Sequence, residues 1–371
     1  MKIGRGVQFF SKWWQDEYGI ESKNPFEESL EEQIESAIKK SKILHKRYGH
    51  LGIGESDPNP GYSVPQYDGR IVAACAFGGK HPSWAKDMDC YWLDKSVGVL
   101  GHISSAREIA GIKVPNWEDS PLLDETFERY EKDKSSAYFK NGRASYPWTL
   151  MANHFVAYMS VVDLAPFLFG DTEFFSIMAE DDDFTFALLD KCYEIATSYA
   201  EYNVKCFGID TSGMGWASLG GDYSCVLSPG YYEKYIKPYD MRRLKESKEN
   251  NLNSVNLHSC GASAHLYGVW EKYPHKESIV TMQTRGIEGR LAHLRRCLPH
   301  TSIQLALHQP QCDFENVASG EIERIVKAYA QEAGYANLAL VAYVVQGGEN
   351  TDKNIEAFCR TVDAINENNV I

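Results

Sequence analysis

The stretch NSVNLHSCGASAHLYGVWEKYPHKESIVTMQ, residues 253–283, reads as a strand, a small-residue turn, a short amphipathic helix and a second strand. Its two flanking runs are short and carry β-branched residues, whereas the middle spaces its apolar residues at helical intervals. A helical connection of this length lets two strands in one sheet run parallel. The fold class therefore turns on how often the unit recurs.

From about residue 200 onward it recurs throughout. The apolar runs VKCFGID (204–210), NSVNLHS (253–259), SIVTMQ (278–283), SIQLALH (302–308) and NLALVAYVV (337–345) each end in a polar or glycine-rich turn and are followed by a helical pattern. Five βα units imply parallel pairing with right-handed crossovers, which suits an open doubly wound sheet or a closed barrel. Three strand candidates upstream, RIVAACAFG (70–78), YWLDKSVGVL (91–100) and RASYPW (143–148), raise the number to eight and favour a single (β/α)8 TIM barrel. No dinucleotide fingerprint, P-loop or proline- or serine-rich linker interrupts it. The barrel is accordingly assigned to residues 66–371. Residues 1–65 are read as an N-terminal extension, with a long surface helix in NPFEESLEEQIESAIKKSKILHKRYG (24–49) capped by Asn24 and carrying Pro25 in its first turn.

Composition narrows the function classes. Lys and Arg number 38 against 51 Asp and Glu, a net charge of −13, and no basic run is present to track a phosphate backbone, so nucleic acid is not expected as a partner. The longest apolar run, LALVAYVV (338–345), is too short to span a bilayer, and the N-terminus lacks the apolar stretch of a signal peptide. A cytoplasmic protein with no membrane partner is the expectation. The nine cysteines form no C-x-x-C pair and are read as free thiols or ligands in a reducing compartment.

A barrel carries its chemistry on loops at the C-terminal ends of its strands, and His258 and Cys260 fall at such an end. Residues two apart on an extended strand point to the same side, so both side chains can address one atom, and imidazole and thiolate are both good zinc donors. Spacing alone leaves open a second reading, a small buried cysteine beside a core histidine. A Cys–His nucleophile couple fits less well, because neighbours on one strand end seldom place the base behind the thiol.

Several longer motifs sharpen the choice. The segments PFLFGDTEFFSIMAEDDDFTFALLDKCYEIATSYAEY (166–202), VLSPGYYEKYIKPYDMRRL (226–244) and NLHSCG (256–261), with the spacing to NIEAF (354–358), resemble the uroporphyrinogen decarboxylase superfamily over roughly residues 60–366. That resemblance implies a single (β/α)8 barrel and two branches of activity, the decarboxylase itself and corrinoid-dependent methyltransferases. The decarboxylase branch carries an N-terminal arginine-rich segment for a polycarboxylate tetrapyrrole. Here Arg5 is alone in the first forty residues and the acidic balance would repel that substrate. The resemblance therefore implies the methyltransferase branch, in which the H-x-C motif resembles a zinc site with His258 and Cys260 as ligands.

Thiol-methylating members supply a further cysteine after the last strand, where this chain reads YVVQGGENT (343–351) and has none. Cys312, in LHQPQC after the seventh strand, is the replacement third ligand; His308, Glu349 and Asp222 are weaker donors. The implied reaction moves a methyl group between a small methylated donor or acceptor, such as an aryl methyl ether undergoing O-demethylation, and cobalamin carried by a separate corrinoid protein. The chain has no D-x-H-x-x-G cobalamin signature of its own. Asp210 and Asp222 are the candidate catalytic carboxylates. Trp148, Trp216, Tyr223, Asn256, Gln283 and Tyr343 are the candidate substrate-binding residues. Two other readings remain, a metal-free decarboxylase or lyase in which Asp210 or Asp222 handles protons, and a non-catalytic zinc- or corrinoid-binding protein.

Overall fold

The chain is an α/β protein whose register-matched strand pairs all run parallel. The computed structural model describes residues 2–21, 28–58, 105–114, 116–119, 128, 131–132, 160–207, 217–249, 255–259, 261–284, 290–307 and 313–368. Its strands are β1 (Gly4–Phe9), β2 (Ala217–Gly220), β3 (Val255–Ser259), β4 (Ile279–Thr284), β5 (Ser302–Leu307) and β6 (Leu338–Val344). The principal helices are α1 (Ser11–Tyr18), α2 (Leu30–Tyr48), α3 (Val161–Phe169), α4 (Asp171–Glu180), α5 (Asp182–Phe207), α6 (Lys237–Glu249), α7 (Leu291–Cys297), α8 (Ser319–Glu332) and α9 (Thr351–Asn368). Two compact units divide the chain. One comprises Met1–Lys23, Ser36–Pro58 and Ser259–Ile371, the other Asn24–Glu35 and Asn59–His258.

In the first unit the strand order is β1-β6-β5-β4. Period-two alternation puts Ile303, Leu305 and Leu307 of β5 and Leu338, Leu340, Ala342 and Val344 of β6 in the core, together with Ile322, Val326 and Tyr329 of α8 and Ile355, Phe358 and Val362 of α9. Each large aliphatic or aromatic side chain buried there contributes about 1.5–3 kcal/mol. On the alternate positions of the same strands, Gln304, Ala306, Ala339, Val341 and Tyr343 are only half-buried.

Residues 4–9, within the segment read from sequence as an N-terminal extension, form a strand. β1 runs parallel to β6 with Gly4 opposite Ala339 and Phe9 opposite Val344. Arg5 projects from β1 onto α9, where its Nε and Nη2 donate to Asp363 at 2.8 and 3.0 Å, and Nη2 also reaches Leu51 O at 2.8 Å. Beyond the strand, Phe9, Trp13, Trp14, Tyr18 and Tyr48 stack into an aromatic cluster with Arg47 over three of the rings.

In the second unit β2 and β3 pair in parallel, with Gly220 opposite His258. Helix α5 starts under the cap of Asp181, whose Oδ1 accepts from Phe184 N at 2.9 Å, in keeping with the capping role expected of the DDD run. The predicted fourth strand, 204–210, is corrected over its described part, since residues 204–207 form the last turn of the 26-residue α5. The tetrapeptide VKCF, with a single β-branched residue, does not outweigh an established helix, because each added residue extends a ladder already nucleated. Helix α2 likewise starts at Leu30, under a reciprocal capping box of Ser29 and Glu32 (2.7 and 3.2 Å). The Asn24 and Pro25 assignments, the strand candidates at 70–78, 91–100 and 143–148, and the boundary at 65/66 lie outside the described residues. Among the described residues β1 and β2 each have one strand neighbour, and no helix is long and apolar enough to cross a membrane.

Candidate functional site

The site is built where β2 ends. Gly220 and Gly221 both adopt positive φ, +70° and +150°, and turn the chain sharply out of the strand. At Gly220 an added Cβ would meet His258 O at 2.5 Å. At Gly221 it would meet Ser160 Oγ at 2.3 Å and the two carboxyl oxygens of Asp163 at 2.4 and 2.7 Å, so only glycine fits either position. Backbone bonds lock the turn against its neighbours: Gly221 N donates to His258 O at 3.0 Å, and Gly220 N donates to Asp240 Oδ1 at 3.2 Å. Asp240 is itself buried and accepts from Tyr232 Oη at 2.6 Å, on a π-helical segment, Tyr232–Ile236, that leads into α6.

The turn delivers Asp222. Its Oδ1 lies 2.7 Å from His258 Nε2, at the C-terminal end of β3. The imidazole is mostly buried, at 13% exposure, while the carboxylate, at 35%, keeps a side toward solvent. With Asp222 ionised the ring donates from Nε2, which fixes its tautomer and orientation.

Beneath the turn sits Asp163, a buried carboxyl on the first turn of α3. Its Oδ1 accepts from Tyr223 N at 3.2 Å and its Oδ2 from Ser160 Oγ at 2.9 Å. Burial first, then the neighbouring charge of Asp222, push this carboxyl well above the usual carboxylate range, against the hydrogen bonds that favour its ionised form. The site therefore places a carboxyl driven toward its neutral form beside a carboxylate paired with a histidine.

Of the sequence candidates, Asp222 and His258 are brought into contact. Tyr223 lies on the same turn with its ring 5.8 Å from Phe175, and Asn256 is buried in β3 two residues before His258. In the first unit, Gln283 of β4 donates to Gln304 of β5 at 3.3 Å, Tyr343 of β6 packs edge-on against Phe10 at 5.2 Å, and Glu349 is exposed in the turn before α9. Cys260, Cys312, His308, Asp210, Trp148 and Trp216 lie outside the described residues. Among the described residues no three His, Cys, Asp or Glu side chains gather as a metal site.

Sequence reasoning missed Asp163, Ser160 and Asp240. Asp163 carried a readable signal, a lone acid inside the apolar run VVDLAPFLF, where a carboxyl faces a core unless something polar meets it.

No family model matches the chain, and no characterised protein is significantly similar to it in sequence. Twenty-two chains of known structure match it. One is a methyltransferase from Methanosarcina mazei, with a TM-score of 0.51 and 13% identity, the alignment covering 90% of this chain and 86% of that one. At that identity the likeness is one of fold.

Proposed function

We propose that the protein is a zinc-dependent methyltransferase built on a closed (β/α)8 barrel, moving a methyl group between a small methylated substrate, such as an aryl methyl ether, and a separate corrinoid protein. The observation that carries the reading is the Asp222–His258 pair at the end of β3, in a fold shared with a methyltransferase. Zinc-bound histidines ordinarily donate their other ring nitrogen to a carboxylate, and Asp222 stands to His258 as such a partner. His258, with that carboxylate behind it, is suited to bind zinc through its other ring nitrogen, and His258, Cys260 and Cys312 are the ligands that would hold the ion. Zinc, when bound, would supply Lewis acidity that stabilises negative charge on the oxygen or sulfur from which or to which the methyl group moves.

The chain's own residues have separate tasks. Asp222 orients the imidazole and raises its basicity as a ligand. Its solvent-facing side can exchange a proton with the substrate heteroatom, while Asp210 is a second carboxylate for that role. Tyr223, Asn256, Gln283, Tyr343, Trp148 and Trp216 would enclose and orient the substrate and exclude water. The corrinoid arrives on its own protein.

The same Asp222–His258 couple could serve as an acid–base pair in a metal-free lyase, so metal content decides first. Protein purified from zinc-replete cells should carry stoichiometric zinc, lost together with methyl transfer to Co(I) cobalamin in His258→Ala and Cys260→Ala. Zinc-free protein would transfer the case to the lyase. Bound zinc without methyl transfer from methoxyarenes, methanol or methylamines would favour a binding protein.

A further inference from the structure

Asp163 occupies the N3 position of a capping-box sequence, Ser160-Val-Val-Asp163, in which the acid ordinarily turns back to the backbone N–H of its own helix cap. Here it does something else. Oδ1 leaves the helix to accept the N–H of Tyr223, sixty residues along the chain, and Oδ2 takes the Ser160 hydroxyl, which consequently makes no cap bond. The two oxygens press so closely on Gly221 that a methyl group could not be inserted. Gly221 in turn donates to the carbonyl of His258. One buried carboxyl thus clamps the residues on either side of Asp222, and Asp222 is the only residue between the clamped pair.

We infer that Asp163 is the positioning residue of the site: through Tyr223 N–H and Gly221 it sets the turn that holds the Asp222 carboxylate on His258 Nε2. The inference deepens the proposed reading of the Asp222–His258 site and rests on it for its consequence in catalysis, although the clamp itself needs no metal. A carboxylate partner on a ligating histidine ordinarily changes metal affinity or activity 10- to 100-fold. Loss of the clamp should cost an amount on that order, because the partner would be present but misplaced.

The test uses full-length protein labelled with 15N-histidine and stripped of metal. The His258 ring signals are assigned through His258→Gln, and Asp222→Ala provides the reference for a broken pair. Asp163→Ala should move the His258 signals toward those of Asp222→Ala. Asp163→Asn, which keeps an oxygen for Tyr223 N–H and closely mimics the neutral acid, should leave them at the wild-type position. Zinc titration into the same samples should then show roughly 10- to 100-fold weaker binding for Asp163→Ala and near-normal binding for Asp163→Asn. Wild-type His258 signals in folded Asp163→Ala would overturn the inference. Should that variant not fold, displaced signals in Asp163→Asn would overturn it instead, and undisplaced ones would uphold it. If the signals respond as expected but no form binds zinc, the positioning role stands and the metal reading falls.

Discussion

Gly221→Ala tests the site at its tightest point. The native backbone, at φ +150° and ψ 176°, lies in a region that residues with a Cβ almost never occupy. Forcing alanine into it costs about 1–3 kcal/mol. The methyl group would also begin at 2.3–2.7 Å from three oxygens, Ser160 Oγ and both carboxyl oxygens of Asp163, whereas a carbon settles roughly 1 Å farther away at normal van der Waals separation. None of the three can give way freely, since Asp163 is buried and Ser160 is bonded to it. The turn would therefore retreat by roughly that distance and stretch the 3.2 Å bond from Tyr223 N to Asp163 past any useful length. An unmatched buried acceptor adds about 1–3 kcal/mol, for a total of about 2–6 kcal/mol. Urea unfolding at neutral pH should show the loss as a lower midpoint at unchanged slope. Gly320→Ala is the control. That glycine lies in the first turn of α8, has negative φ and has open space where a Cβ would go, so its substitution should be neutral or stabilising by up to about 1 kcal/mol. A Gly221→Ala midpoint within error of wild type would refute the claim that the turn is pressed onto Asp163.

Asp163→Asn should gain stability relative to wild type as pH rises. A carboxyl whose pKa is raised by folding binds its proton more tightly in the native state, so the stability tied to that proton is complete below the ordinary value of about 3.9 and is lost toward the raised native one. A pH-independent gap between the two proteins from pH 4 to 8 would mean that Asp163 titrates normally. Glu315, buried in the first unit, accepts from Val345 N and Gln346 N at 3.0 and 3.2 Å and so ties the segment after β5 to the end of β6. Glu315→Ala should destabilise by about 2–4 kcal/mol in urea unfolding, and a loss below 1 kcal/mol would show that the two amides find other acceptors such as water. Arg5→Ala should lower stability by only about 1 kcal/mol, since its ion pair with Asp363 is partly solvated, yet it should speed proteolysis near the N-terminus by freeing β1. Unchanged cleavage kinetics would show that the β1-β6 ladder holds without the guanidinium.

What the sequence displayed and what it concealed follow from the range over which each force acts. β3, β4, β5 and β6 were legible within two residues because alternation or continuous burial writes itself into local composition; Leu338 to Val344 alternate buried and half-buried without interruption. β1 was not legible, since Gly4, Arg5, Gly6 and Gln8 carry no apolar periodicity. Its place comes from backbone pairing with β6 at the far end of the chain and from Arg5 meeting Asp363, 358 residues away. β2 is four residues long, too short for any pattern to emerge. The site divides along the same line. His258 and Asp222 were individually visible as polar residues at turns, but their contact spans 36 residues and depends on two glycines whose need for positive φ is a tertiary fact. Asp163 is the instructive case, because its neighbours Val161, Val162, Leu164 and Ala165 are all buried and make a charged side chain costly there. An acid retained at such a position implies a partner that hydrogen-bonds it, and a search for that partner among glycine-rich turns would have led to Gly221 and Tyr223. A buried acid in an apolar helix is thus a long-range constraint legible in one sequence, even though the residue it constrains is not.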